Sequence, residues 1–180
     1  KKQLGKLYSI NVEAPERFDE IRKKNKFNKK VLDNWFITNG IHMIDLMQFL
    51  ARSKYSKVFS ISRKINEKIN NSFNAIIEFK NGIIANYISN WKTIGGWHIK
   101  LYFEKGMANI GPIESTKIKL NNGKTIDINL SAADLNFKQG LYLQNYNFLK
   151  SCSNNIKTDK KTATIDDAIS AMKLIKKLKA

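Results

Sequence analysis

A chain of 180 residues with 42% hydrophobic and 11% aromatic side chains has the apolar content of one folded domain, which excludes disordered and collagen-like classes. A single cysteine, Cys152, excludes an internal disulfide framework and a cysteine-based metal site, and it points to a reducing, cytoplasmic compartment. Lysine and arginine total 32 against 15 acidic residues, a formal charge of +17, but only four are arginine and the excess lysine accompanies 21 asparagines and 24 isoleucines. All three residue types have A/T-rich codons. A low-GC genome therefore accounts for most of the imbalance, and nucleic acid is not the expected partner.

In chain order, Leu7 to Val12 reads as a short strand closed by Glu13-Ala14-Pro15. Residues 16 to 31 are polar and lysine-rich, a loop or short helix anchored by Phe18, Ile21 and Phe27. From Trp35 to Leu50 the chain is apolar on nearly every side, which predicts one well-buried helix with Gly40 near its start. His42, Asp45 and Gln48 interrupt that run, and it falls short of the roughly 18 to 20 apolar residues that cross a bilayer, so no membrane span is expected.

Strands follow. Ser72 to Phe79 and Ile83 to Trp91 flank Asn81-Gly82, a strong hairpin signal. With those two residues at the centre of the turn, Phe79 faces Ile84, Ala75 faces Ile88, and both faces of the hairpin carry apolar groups. Further strands are predicted over Trp97 to Phe103, Met107 to Ile110, and on both sides of Asn122-Gly123. Two helices close the chain, about Phe137 to Lys150 and Ile165 to Lys179. The second has Thr164 as its N-cap, acidic residues in the first turn, and Ile165, Ala168, Met172 and Ile175 as its apolar residues. This order, without alternating β-α-β units, predicts an α+β domain. Its open, mostly antiparallel β-sheet has helices packed on one face and the other face available for oligomerisation. The opening Lys-Lys-Gln-Leu-Gly-Lys has no initiator Met and leads straight into a strand, so a piece of a longer protein is expected.

Neither a glycine-rich dinucleotide fingerprint nor a phosphate-binding loop occurs, and two histidines without paired carboxylates do not make a metal site. His42 is the residue best suited to proton transfer. It sits near the start of an apolar helix, where the helix dipole favours the neutral imidazole that accepts a proton. The plain alternative is a hydrogen-bonded core histidine. Trp91, Lys92 and Trp97 flank Gly95-Gly96, where aromatic faces stack on a ring and Lys92 meets an anion; packing in the sheet or an interface explains the tryptophans equally well. Asn39 is a candidate hydroxyl contact.

The string Gly40-Ile41-His42-Met43-Ile44-Asp45-Leu46 resembles the Gly-x-His-x-x-Asp-Leu segment of the Gfo/Idh/MocA oxidoreductases, relatives of glucose-fructose oxidoreductase and inositol dehydrogenase. Gly5-Lys6-Leu7, the Phe79 to Gly82 hairpin, Ser89-Asn90-Trp91, Gly95-Gly96-Trp97 and Asp166-Asp167-Ala168 extend the resemblance in order along the chain. It implies the C-terminal, substrate-binding and assembly domain of a two-domain enzyme, occupying residues 1 to 180. Its partner is an N-terminal Rossmann domain that holds NAD or NADP, and the fragment alone is inactive. It further implies a sugar, sugar-nucleotide or polyol substrate, a homo-oligomer, and His42 as the base that takes a hydroxyl proton. The family commonly has an aspartate four residues before this histidine. Thr38 stands there instead, able to relay a hydrogen bond but without the charge that raises the basicity of the ring. The competing expectations are a non-catalytic ligand-binding or oligomerisation module and, further off, a polyanion-binding surface.

Overall fold

A computed structural model describes residues 4–24, 26–154 and 162–179. Its element order is β1 (Leu7–Glu13), α1 (Phe18–Lys23), α2 (Lys29–Asp33), α3 (Trp35–Thr38), α4 (Ile41–Ala51), β2 (Tyr55–Arg63), β3 (Ser72–Phe79) and β4 (Ile84–Asn90). There follow β5 (His98–Phe103), β6 (Gly106–Ile110), β7 (Thr116–Leu120), β8 (Thr125–Ile128), α5 (Ala132–Asn136), α6 (Leu141–Asn154) and α7 (Ile165–Leu178). The strands form one eight-stranded sheet in the order β2-β3-β4-β1-β5-β6-β7-β8. β1 runs parallel to β4, and the other neighbouring pairs are antiparallel, which gives the expected α+β class.

The hairpin register differs from the expectation by one residue. Phe79 N donates to Ile83 O at 2.9 Å and Gly82 N donates to Phe79 O at 2.9 Å, so the loop is the three residues Lys80-Asn81-Gly82. Gly82 supplies the left-handed residue such a loop needs, at φ +83°. Glu78, not Phe79, therefore pairs with Ile84, and Ala75 pairs with Tyr87. Because side chains alternate with period two, this shift decides the faces: Phe73, Ile77, Phe79, Ala85 and Tyr87 all turn inward and are buried. Asn74, Ile76, Ile84 and Ile88 share the outer face.

One strand was not anticipated. In β2 the polarity is inverted, since Phe59 and Ile61 are exposed while Ser60 and Ser62 face inward. The serines have partners there: Ser60 Oγ donates to Lys177 O at 2.9 Å and Ser62 Oγ to Lys179 O at 3.4 Å. These carbonyls belong to the last turn of α7 and the residue after it, where carbonyls lack N–H donors within the helix itself.

α4 and α7 cover the inner face. Met43, Ile44, Met47 and Ala51 of α4 and Ala171, Leu174, Ile175 and Leu178 of α7 are all buried against the strands. Each Leu or Ile so placed contributes about 1.5 to 3 kcal/mol by leaving water. The buried stripe of α7 is rotated from the expected one, leaving Ile165 and Ile169 exposed. Its start is as expected, a capping box in which Thr164 and Asp167 satisfy each other's backbone N–H groups.

One expected helix is divided, the Trp35 to Leu50 segment breaking at Asn39-Gly40. The helix expected over Phe137 to Lys150 forms from Leu141 as α6, and a short helix that was not expected, α5, precedes it. Ser131 caps α5, while Asp134 Oδ1 accepts from Gly140 N at 2.9 Å and closes the turn in which Gly140 lies at φ +79°. α6 packs against α5 and leaves Leu141, Tyr146, Phe148 and Leu149 exposed. Among the described residues, no helix is long and apolar enough to cross a membrane.

Candidate functional site

The break between α3 and α4 follows from a close backbone approach. A Cβ on Gly40 would lie 2.6 Å from Phe36 Cδ2 and 2.8 Å from Phe36 O, so a side chain there collides with a ring that is itself stacked on Phe73 at 4.0 Å. The chain kinks, and His42 N donates to Asn39 O at 3.2 Å as α4 restarts. Met43 and Ile44 turn toward the sheet. His42 turns away and is exposed, with its ring centroid 6.4 Å from that of Trp97.

Asn39 faces a group that the sequence did not single out. Its amide Nδ2 donates to Glu16 Oε1 at 2.5 Å. Glu16 lies just beyond β1, where its own N–H donates to Asn90 O at 2.9 Å. Burial pushes the Glu16 carboxyl above its usual acidity range, while the side chains of Asn39, Trp97 and Trp35 pull it the other way. Glu16, Gly95, Gly96 and Trp97 line an open cleft of about 310 Å³, with Arg17 and Lys24 on its rim. The structure thus brings together His42, Asn39 and Trp97 from the expected set and adds Glu16.

Three expected contacts are placed elsewhere. Trp91 is only 2% exposed, packed 5.0 Å from Phe18 and 5.5 Å from Phe73 between ring centroids, with its indole N–H donating to Ser89 Oγ at 3.2 Å. Both its face and its polar edge are occupied, so it serves packing and does not line the cleft beside Trp97. Lys92 Nζ is held by Asp19 at 2.7 Å and Glu67 at 2.8 Å, which uses its charge within the fold. The Thr38 hydroxyl is directed at the carbonyls of Asn34 (3.3 Å) and Val31 (3.4 Å). Among the described hydrogen bonds none joins Thr38 to His42, so the expected relay is not formed.

Asp45, one turn after His42, has its carboxyl pushed up by burial and by the nearby Asp167, with His42 opposing. It belongs to the α4 and α7 contact and is distinct from the cleft. Among the described residues, no group of three His, Cys, Asp or Glu side chains is placed to hold a metal ion. Nor do the residues after β1 fit a dinucleotide pyrophosphate. The strand leads through Pro15-Glu16-Arg17 into α1, whose first turn carries Asp19 and Glu20, and this negative charge opposes an anion at the helix start. The start of α1 therefore does not suit a pyrophosphate.

The fold and site define an α+β domain whose open sheet carries a histidine-bearing helix at the edge of a cleft. Residues 1–109 match the family described as GFO/IDH/MocA C-terminal domain, and the chain belongs to that family. No curated protein matches it in sequence. Among solved structures it is similar to UDP-N-acetylglucosamine 3-dehydrogenase GnnA from Acidithiobacillus ferrooxidans, with TM-score 0.75 and 13% identity over 99% of this chain and 54% of that one. It is also similar to a dehydrogenase (MviM) from Clostridium difficile, with TM-score 0.74 and 16% identity over 98% of this chain and 55% of that one. Aldose-aldose oxidoreductase from Caulobacter crescentus gives TM-score 0.76 and 13% identity over 98% of this chain and 53% of that one. The chain thus spans about half the length of these structures.

Proposed function

We propose that residues 1–180 are the substrate-binding and assembly domain of an NAD(P)-dependent oxidoreductase that acts on a hydroxyl or ketone of a sugar, sugar nucleotide or polyol. The observation that carries this reading is the placement of His42. An imidazole on the solvent side of an otherwise buried helix, beside Trp97 and next to a cleft, stands where a ligand reaches it. A core histidine would be turned toward the sheet. In this reading a companion Rossmann domain holds the cofactor, whose nicotinamide supplies the hydride acceptor or donor.

Within this chain, His42 accepts the hydroxyl proton during oxidation and returns it during reduction. Trp97 offers a ring face to the substrate, and Asn39 holds the neighbouring carboxyl in place. Without the family's aspartate, and with Thr38 turned away, the imidazole works without a charged partner at that position. The outer sheet face carries exposed Phe59, Ile61, Ile76, Ile84 and Ile88, which supports homo-oligomer formation through that face.

The test is reduction of NAD or NADP by the full-length protein against glucose, myo-inositol and UDP-N-acetylglucosamine, followed by cofactor absorbance. Turnover with a hydroxylated substrate, absent when residues 1–180 are assayed alone, is expected. A non-catalytic module would bind a ligand yet reduce neither cofactor.

A further inference from the structure

We infer that Glu16 is a specificity-determining residue of this site, a carboxyl group that accepts hydrogen bonds from the hydroxyls of a polyhydroxylated ring seated in the cleft against Trp97. The inference rests on the reading of His42 above and names a contact which that reading does not require.

The backbone fixes where this carboxyl stands. Glu16 N donates to Asn90 O at 2.9 Å, and two residues later Phe18 N donates to Trp91 O at 3.0 Å while the Phe18 ring is fully buried. The side chain is therefore presented at the mouth of the cleft by a segment pinned on both sides. Asn39 then occupies one carboxyl oxygen, Oε1. Among the described hydrogen bonds none engages Oε2. The carboxyl is drawn only partly out of water, with the Trp97 and Trp35 side chains close by, and burial pushes it upward while still leaving it open to the cleft. Ligand hydroxyls add further donors there.

The rest of the cleft suits a ring. Gly95 and Gly96 bring backbone without side chains beside the Trp97 indole. Gly95 adopts φ +150°, and a Cβ there would lie 2.8 Å from Pro15 Cγ, so the wall stays bare for steric reasons. A ring lying on Trp97 has Glu16 on one side and, through the 6.4 Å spacing of the Trp97 and His42 rings, the imidazole on another. Of the two rim cations, Arg17 is paired with Glu20 at 3.5 Å. With Glu16 in the cleft as well, the local charge does not favour an anion, and hydroxyls are the groups this arrangement recognises.

The test is titration of the full-length protein, with tryptophan indoles labelled for NMR, using methyl α-D-glucopyranoside, myo-inositol and UDP-N-acetylglucosamine up to about 10 mM, which detects even millimolar affinity. At least one probe is expected to shift the Trp97 indole resonance. Glu16→Gln is expected to weaken that binding about tenfold or more, the loss of hydrogen bonds to a charged acceptor. Glu16→Asp, which withdraws the carboxyl by one methylene, gives the same direction and serves if the glutamine variant fails to fold. Unchanged affinity in a folded Glu16 variant, or no Trp97 response to any probe, overturns the inference. Unchanged affinity in Glu16→Gln together with lost turnover in His42→Ala overturns it while leaving the enzyme reading intact. Weakened binding in Glu16→Gln together with full turnover in His42→Ala supports it and removes the reading of His42 instead.

Discussion

Arg22 grips Glu67 with two guanidinium nitrogens, at 2.5 and 2.8 Å, across 45 residues of sequence. Lys92 adds a third contact at 2.8 Å, and the Glu67 side chain is only 10% exposed. The cluster ties the segment between β2 and β3 to α1 and to the residues just after β4, where Lys92 bridges to Arg17, the residue after Glu16.

This clamp makes stability sensitive to acid. The hydrogen bonds from Arg22 and Lys92 pull the Glu67 carboxyl from 4.5 down to about 2. A carboxyl depressed in the folded state stabilises the fold above its unfolded value, and that contribution is lost as pH falls from about 4.5 toward 2. Glu67→Gln is expected to cost about 1 to 2 kcal/mol at neutral pH, discounted for the partly exposed cations, and to flatten this part of the stability profile. Urea unfolding at neutral pH and near pH 3 checks both. An equal loss in the wild type and the variant on acidification would show that Glu67 is not the titrating group.

The two tryptophans of the Trp91 to Trp97 segment should separate cleanly. Trp91→Ala removes a ring buried among Phe18, Phe36 and Phe73 and is expected to cost about 3 to 5 kcal/mol. Trp97→Ala, at a partly exposed ring, is expected to cost about 1 kcal/mol and to act mainly on ligand binding. Thermal unfolding of both variants, with binding measured on whichever stays folded, distinguishes the roles.

Gly40→Ala places a methyl group against Phe36 O, a backbone atom that has little room to yield. A loss of about 1 to 3 kcal/mol is expected. The same change displaces the start of α4, so binding and turnover should fall more than thermal stability alone explains. A neutral effect on all three would mean that the kink tolerates a side chain.

Phe59 and Ile76 pair across β2 and β3 on the outer sheet face, and both are more than half exposed. In the proposed homo-oligomer, Ile76→Lys is expected to give monomers with unchanged circular dichroism, because the charge would enter the proposed contact between copies and not the core. Sedimentation of the wild type and the variant decides it, and identical profiles would exclude this face as the contact.

The sequence was most legible where a residue contradicts its surroundings. His42 stands out as an imidazole in an apolar helix beside a glycine, and Asn81-Gly82 and Asn122-Gly123 mark turns by chemistry that few other residues share. Glu16 gave no such signal. It belongs to a polar turn, and its partner Asn39 is 23 residues away, so the pairing exists only after folding. β2 was hidden because its serines point inward to helix carbonyls while its aromatic and aliphatic side chains point out. The register of the first hairpin turned on a single residue in loop length, which two glycine turns of similar composition do not reveal until the Phe79 and Ile83 hydrogen bond is seen.

The most direct measurement is the turnover number of the full-length protein with His42 replaced by alanine, on whichever sugar or polyol supports the proposed oxidation. The account predicts a fall of about a hundredfold to ten-thousandfold in kcat, with substrate affinity and unfolding temperature largely preserved, because an exposed ring that moves a proton contributes little to the core. Turnover undiminished by His42→Ala would contradict it.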